Sequence, residues 1–392
     1  LALGEHLDWG FKEVLPFTAG ISKIGGLRFG DGVFGTRVLP TITSALVLFF
    51  TGLIVLALAG KRPAIAIACL AVLVSPAFLA SGYLLQPVVF DQLFWVLAAY
   101  SVIKLVQTHK ESYIYLTAVA AGLGMLNKYT MAAFLFALFI GLLMTPQRTL
   151  LWKRKWIWGI LLAVLIFLPN LIWQIKNGLP VVHHMQELRE TQLVYIDPVE
   201  FLIQNFIVHG TVGLIAIAGL LYTLVSKRIS RFRFIGFSFI TVLVLLLLLK
   251  GKVYYGFGAY PMILAAGGIG LESISRRFSK TYLKPAFALV VLPCVALIPI
   301  AIPILPIQQT LSLFEVISRK DGLNFMLKWE DQRMHATTQD YGDMFGWQEM
   351  ADYSARAYEL IPATERSHTT VFAANYGQAG ALDHLGKGYK LP

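Results

Sequence analysis

Long apolar runs alternate with short polar ones along almost the whole chain. A helix needs roughly 20 mostly apolar residues to cross a bilayer, because each backbone N–H and C=O must find its partner inside the segment. Such runs occupy approximately 39–59, 63–82, 90–107, 113–126, 129–145, 157–174, 203–226, 233–250, 257–275 and 284–304. The fourth and fifth form one stretch of 33 residues, broken only by Asn127 and Lys128. That is too long for one ordinary span, so a tight turn at Lys128 is predicted. The pattern gives an all-α polytopic membrane protein with about ten transmembrane helices over 39–304. Ahead of it, 1–38 reads as a first outer loop with juxtamembrane helices. The tail, 305–392, reads as a small extracytoplasmic module, α/β or mostly helical. No internal repeat or low-complexity segment is present.

Composition excludes a purely soluble protein: 57% of the 392 residues are hydrophobic and 14% charged, with mean hydropathy +0.66, against about 25% charged in soluble domains. With 26 Phe, 16 Tyr and 8 Trp, disorder is excluded too. Cys69 and Cys294 sit in apolar runs and read as small buried hydrophobes, so neither a disulfide framework nor a cysteine metal cluster is expected. The net charge of +11 could suggest nucleic acid, but its distribution says otherwise. Alternate loops collect Lys61 and Arg62; Lys110; Arg148, Lys153, Arg154 and Lys155; Lys227, Arg228, Arg231 and Arg233; and Arg276, Arg277, Lys280 and Lys284, against only Glu111 and Glu272. Basic loops on one side mark the cytoplasmic face. The excess charge is thus spent on orientation and membrane lipids, and no nucleic-acid partner is expected. Residues 1–38 and the tail then lie outside, which leads to the expectation that an upstream span precedes Leu1.

Ionisable groups at a membrane edge are costly and point to function. Glu13, in a loop rich in aromatics and proline, reads either as a solvated charge or as an acid pressed against the membrane surface. Asp91 starts a span, where it can cap free amides and favour the helix dipole as well as serve chemistry. Lys128, Lys250 and Lys252, beside Tyr254 and Tyr255, can snorkel to headgroups or hold a phosphate between ammonium and hydroxyl groups. His183 and His184, with Glu187, match no closed zinc motif. They read as a structural pair or as part of a divalent metal site completed by a distant carboxylate such as Glu13.

Several stretches resemble the GT-C glycosyltransferases, specifically bacterial relatives of the protein O-mannosyltransferases (the dolichyl-phosphate-mannose-protein mannosyltransferase-like family) and of the lipid A aminoarabinose transferase: EHLDWGFKEVLPFTA, QPVVFDQLFWVLAAY, GLGMLNKYT, LPNLIWQIKNGLP and KGKVYYGFGAYPMILAAGG, with FGWQEMADY and NYGQAGALDHLG in the tail. The resemblance implies a GT-C fold and transfer of a sugar from a polyprenyl-phosphate donor to a lipid, glycan or protein acceptor on the outer face of a bacterial inner membrane, with inversion at the sugar carbon. Glu13 matches the acidic position before the family's proline pair, reduced here to Leu15-Pro16. Asp91 matches a second acidic position, Lys128 the lysine of the corresponding turn, and Lys252, Tyr254 and Tyr255 the polar stretch before Tyr260-Pro261. The family's first acidic motif is expected upstream of Leu1, and its tail is expected to continue beyond Pro392. The expected roles are Glu13 and Asp91 as catalytic acids, Lys128, Lys250, Lys252, Arg189, Tyr254 and Tyr255 around the phosphate, and His183 and His184 as ligands of any divalent metal. The rival is a transporter or lipid flippase; such proteins place charges near the midplane and often repeat their halves, whereas here the charges gather toward one face.

Overall fold

The computed structural model describes residues 1–275, 280–320, 323–389 and 391, and of 280–284 and 286 the backbone alone. Arg276 and Arg277, with the side chains of Lys280 and Lys284, therefore lie outside the described residues. The chain is nearly all helical. After a short α1 (Ala2–Glu5) come α2 (Pro16–Phe29), α3 (Val33–Ala57), α4 (Arg62–Val74), α5 (Pro76–Gly82), α6 (Pro87–Thr108), α7 (Ser112–Asn127) and α8 (Thr130–Leu143). Then follow α9 (Lys155–Lys176), α10 (Pro180–Thr191), α11 (Pro198–Ile207), α12 (Gly213–Val225), α13 (Phe234–Leu248), α14 (Tyr260–Ser275), α15 (Lys280–Ala296) and α16 (Ile298–Ala301). The tail adds α17 (Ile307–Ser318), α18 (Gln339–Gly342), α19 (Trp347–Glu359), α20 (Ala363–Arg366) and α21 (Tyr376–Leu385).

Prolines begin many of these helices, as at Pro63, Pro76, Pro87, Pro180 and Pro198, where the missing N–H costs no internal bond. Asp197 caps α11 by accepting a hydrogen bond from the Glu200 N–H at 2.8 Å.

Every apolar run falls on a helix, but ten clear spans do not emerge among the described residues. Five described helices are long and apolar enough to cross a membrane alone, or seven spans if each of two bent pairs counts as one. The bends are 61° between α4 and α5 and 103° between α11 and the segment starting at Gly210. Ser75 is extended before Pro76, and Gly210 takes the left-handed φ of +63°, so each run is continuous in hydropathy and broken in backbone. Helix α8, at 14 residues, reaches only about 21 Å of a hydrocarbon core about 30 Å thick. Lys128 is extended between α7 and α8 (φ −160°, ψ 134°) and makes the turn expected there.

Two compact units emerge. The larger holds Asp8–Thr18 and Val33–Ile302; the smaller holds Leu1–Leu7, Ala19–Gly32 and Pro303–Pro392. In the larger unit α6 and α14 form the centre, and α14 is buried continuously from Tyr260 to Gly270. Where α12 meets α14, a Cβ on Gly219 would lie 2.1 Å from the Ile263 carbonyl and one on Gly267 2.3 Å from that of Ile215. Only glycine permits this approach, the usual device where lipid removes the hydrophobic drive between helices. Interhelical polar pairs add to it: Ser101 with Thr117 at 2.7 Å and Gln92 donating to Ser81 at 2.9 Å. Helix α9 instead exposes Ile157, Trp158, Ile160, Leu161 and Leu165. A multi-pass membrane protein accounts for such an apolar exterior, which suits lipid and not water.

The tail takes the second of the two forms expected of it. No strand occurs among the described residues beyond a single antiparallel bridge between Lys328 and Met334, so what is described of the module is helical and an α/β form is not seen. Its buried apolar positions follow helical spacing: Phe314 and Ile317 on α17, Ala351 and Ala355 on α19.

Candidate functional site

The polar residues of the larger unit gather where α6 begins and α7 ends. Asp91, in the second turn of α6, is 4% exposed. Its Oδ2 accepts a hydrogen bond from Thr130 at 2.7 Å, and the buried Trp95 indole N–H stands beside the same carboxylate as a second, looser donor. The Lys128 turn delivers its ammonium to the faces of two tyrosines, 4.7 Å from the Tyr254 ring centroid and 4.2 Å from that of Tyr255. Those rings meet edge-on, 4.9 Å apart at 87°. The Lys252 ammonium lies 5.8 Å from the Tyr254 ring. Asp91 and Lys252 are the charged groups acting on Lys128, so two cations share one aromatic wall with one buried carboxylate beside it. Cation–π contact keeps an ammonium in place while leaving its N–H donors available.

Close packing fixes this arrangement. Tyr254 and Tyr255 belong to a 3₁₀ turn, Val253–Ala259, in which a Cβ on Gly258 would sit 2.7 Å from the Trp95 Cβ. The turn can rest on α6, one turn past Asp91, only because that residue is glycine. Asn127, fully buried, donates to the Pro87 carbonyl at 2.9 Å and accepts from Thr18 at 3.1 Å. It ties the end of α7 to the start of α6 and to α2.

The loop of Glu13 is held at the same end. Phe17 packs edge-on against Phe90 and Phe94, centroids 5.6 and 5.0 Å away, on either side of Asp91 in sequence. Asn170 donates to the Trp9 carbonyl at 2.7 Å, and Trp173 donates to Asp8 at 2.6 Å. A Cβ on Gly10 would lie 2.3 Å from the Trp173 ring. Glu13 itself is half-buried.

The other expected residues lie outside the cluster. Lys250 is exposed, with a left-handed φ of 51°. Arg189 and His183 are exposed on α10, and His184 is half-buried with an unpartnered Nδ1. Glu187 is taken by Lys12 at 2.9 Å. That pairing holds the Glu187 carboxyl below its usual range and raises the Lys12 ammonium above its own. His183 and His184 do not converge with a third ligand among the described residues, so the set does not fit a closed metal site.

Reading Lys128 alone from the sequence missed Asn127, Thr130, Trp95 and Asn170. The signal was present for three of these: Asn127-Lys128-Tyr129-Thr130 and Asn170 are polar interruptions of apolar runs. Trp95 is apolar in pattern and carried none.

The sequence model of the dolichyl-phosphate-mannose-protein mannosyltransferase family matches residues 16–173, bearing out the resemblance read from the sequence. ArnT from Cupriavidus metallidurans, in crystal structures bound to undecaprenyl phosphate and in the apo state, is similar at 14% identity and a TM-score of 0.59, covering 97% of this chain and 65% of that one. The oligosaccharyltransferase of Archaeoglobus fulgidus in the apo form is similar at 13% identity and a TM-score of 0.50, covering 96% and 56%. At such identities the likeness is one of fold, the GT-C fold. The chain spans less than two thirds of the length of these relatives. Comparison with curated proteins gives no match.

Proposed function

We propose that this GT-C chain transfers a sugar from a polyprenyl-phosphate donor to an acceptor at the outer face of a bacterial cytoplasmic membrane. The observation that carries the reading is the Lys128 ammonium set against Tyr254 and Tyr255, beside Asp91 and Lys252, at the edge of an apolar bundle. A lipid-linked phosphate needs cations at that depth and an apolar flank for its isoprenoid tail, and these elements offer both.

In this reading the acceptor hydroxyl attacks the anomeric carbon. The bond from that carbon to the phosphate oxygen breaks, and its electron pair leaves with the polyprenyl phosphate. Lys128 and Lys252 neutralise the departing charge, and the tyrosine hydroxyls donate to it. Glu13, half-buried and on a docked loop, takes the acceptor's proton. Asp91 is too enclosed to meet the acceptor and acts as a positioning residue, fixing Thr130 and the charge of Lys128. Inversion at the sugar carbon follows from a single displacement. The scheme takes a hexosyl or a pentosyl donor, and a lipid, a glycan or a protein as acceptor. No step requires a metal at His183 and His184.

The test is sugar transfer in liposomes holding the full chain, from a panel of isoprenoid-linked sugars, with products identified by mass spectrometry. Glu13→Gln lowers the rate by about 10²–10⁴-fold at unchanged membrane insertion. Undiminished transfer in Glu13→Gln removes Glu13 as the base. Passage of the donor across the bilayer with its sugar–phosphate bond intact overturns the enzyme reading in favour of a transporter.

A further inference from the structure

The smaller unit carries a cluster that the transfer chemistry does not use. Glu5 and His6, at the end of α1, meet Asp383 and His384, in the last turn of α21, and the pairing is crossed. His6 Nε2 lies 3.3 Å from Asp383 Oδ2, and His384 Nδ1 lies 3.0 Å from Glu5 Oε1. Ligand atoms of Glu5, His6 and Asp383 all fall within 4.8 Å of one another. Lys387 binds the second oxygen of Glu5. Two adjacent acid–histidine pairs, almost the whole chain apart in sequence, are thus brought face to face.

We propose that Glu5, His6, Asp383 and His384 form a zinc site that fastens the first residues of the chain to α21. The donor set decides the metal. Two imidazole nitrogens and two carboxylate oxygens suit Zn²⁺, whereas Mg²⁺ and Ca²⁺ take oxygen alone. Glu5, His6 and Asp383 already bring ligand atoms within 4.8 Å of one another; His384, outside that group, completes the set by easing from its 3.0 Å contact with Glu5 toward the separations of about 3.4 Å that a tetrahedral zinc imposes. Lys387, on the Glu5 oxygen that faces away from His384, takes the outer position that commonly orients a ligating carboxylate. His6 and Asp383 are the solvent-exposed members, with 69% and 43% of their side chains exposed, so the ion can reach the site.

The full chain, purified in detergent after chelation, is titrated with zinc chloride against a competing zinc indicator and, separately, with cobalt(II). Wild type is expected to bind one zinc per chain saturably and to give the visible absorption of tetrahedral cobalt. Its melting temperature rises with zinc, as for any ligand that binds only the folded state. The double variant His6→Ala/His384→Ala loses that zinc and the cobalt band, while His183→Ala/His184→Ala keeps both. Lys387→Met weakens the affinity by about 10–100-fold. Absence of saturable zinc binding in the wild type overturns the proposal whatever the variants do, as does unchanged binding in His6→Ala/His384→Ala.

Discussion

The two ends of the helix bundle treat their carboxylates in opposite ways. At the basic end Glu111 is held by Lys153 at 2.9 Å and Lys155 at 3.3 Å. Glu272, 3% exposed, faces Arg228 at 3.7 Å and accepts from the Lys61 N–H at 3.1 Å. The two acids that stood out as exceptions among basic loops are therefore satisfied, and that end does structural work. At the opposite end Asp91 has Thr130 as its one well-formed hydrogen bond, with Trp95 alongside, and Lys128 rests on aromatic faces instead of in a bidentate salt bridge. An incompletely satisfied buried group costs stability, and such a cost concentrates where a site must remain able to bind something else.

Substitutions can break this contrast. Lys128→Met keeps the length of the side chain and removes its charge; the transfer rate in liposomes falls by about 10²–10³-fold, the scale of losing one electrostatic contact to a developing charge, with little change in melting temperature. At the other end, Glu272→Gln lowers unfolding stability by about 1–2 kcal/mol, since it removes the charge of a buried acceptor that faces the Arg228 guanidinium and the Lys61 N–H. The transfer rate below the melting temperature stays as it was. A rate that follows Glu272 as closely as Lys128 erases the distinction between the two ends.

The smallest effect is reserved for Lys12, which links the Glu13 loop to α10 through Glu187. The Glu187 carboxyl lies below its usual range because of Lys12. Its contribution is therefore present above the unfolded glutamate value, about 4.3, and is lost as pH falls through the lower folded value. The Lys12 ammonium lies above its usual range, so its share persists below the unfolded lysine value and disappears as pH rises through the folded one. Lys12→Met is expected to shift melting by a degree or less at neutral pH, on the scale of exposed pairs, and to converge with wild type under acid. Melting curves against pH check this, and a difference that grows in acid sinks the pairing.

Much of this was written in the chain itself. Apolar runs fixed the membrane class and the helices, because a bilayer admits few alternatives to a helix whose backbone is satisfied within one segment. Polar interruptions such as Asn127-Lys128-Tyr129-Thr130 marked where chemistry could gather. Hydropathy could not see the breaks at Ser75 and Gly210, since a bend changes backbone angles and leaves side-chain polarity alone. Nor could it separate Lys252, which joins Lys128 at the tyrosines, from Lys250 two residues earlier, which is exposed. That separation rests on long-range packing: the contact of Gly258 with Trp95 and of Phe17 with Phe90 and Phe94. Pattern along one dimension tells which residues tolerate lipid; the meeting of Asp91, Lys128 and Tyr255 in space was decided only when the helices closed on one another.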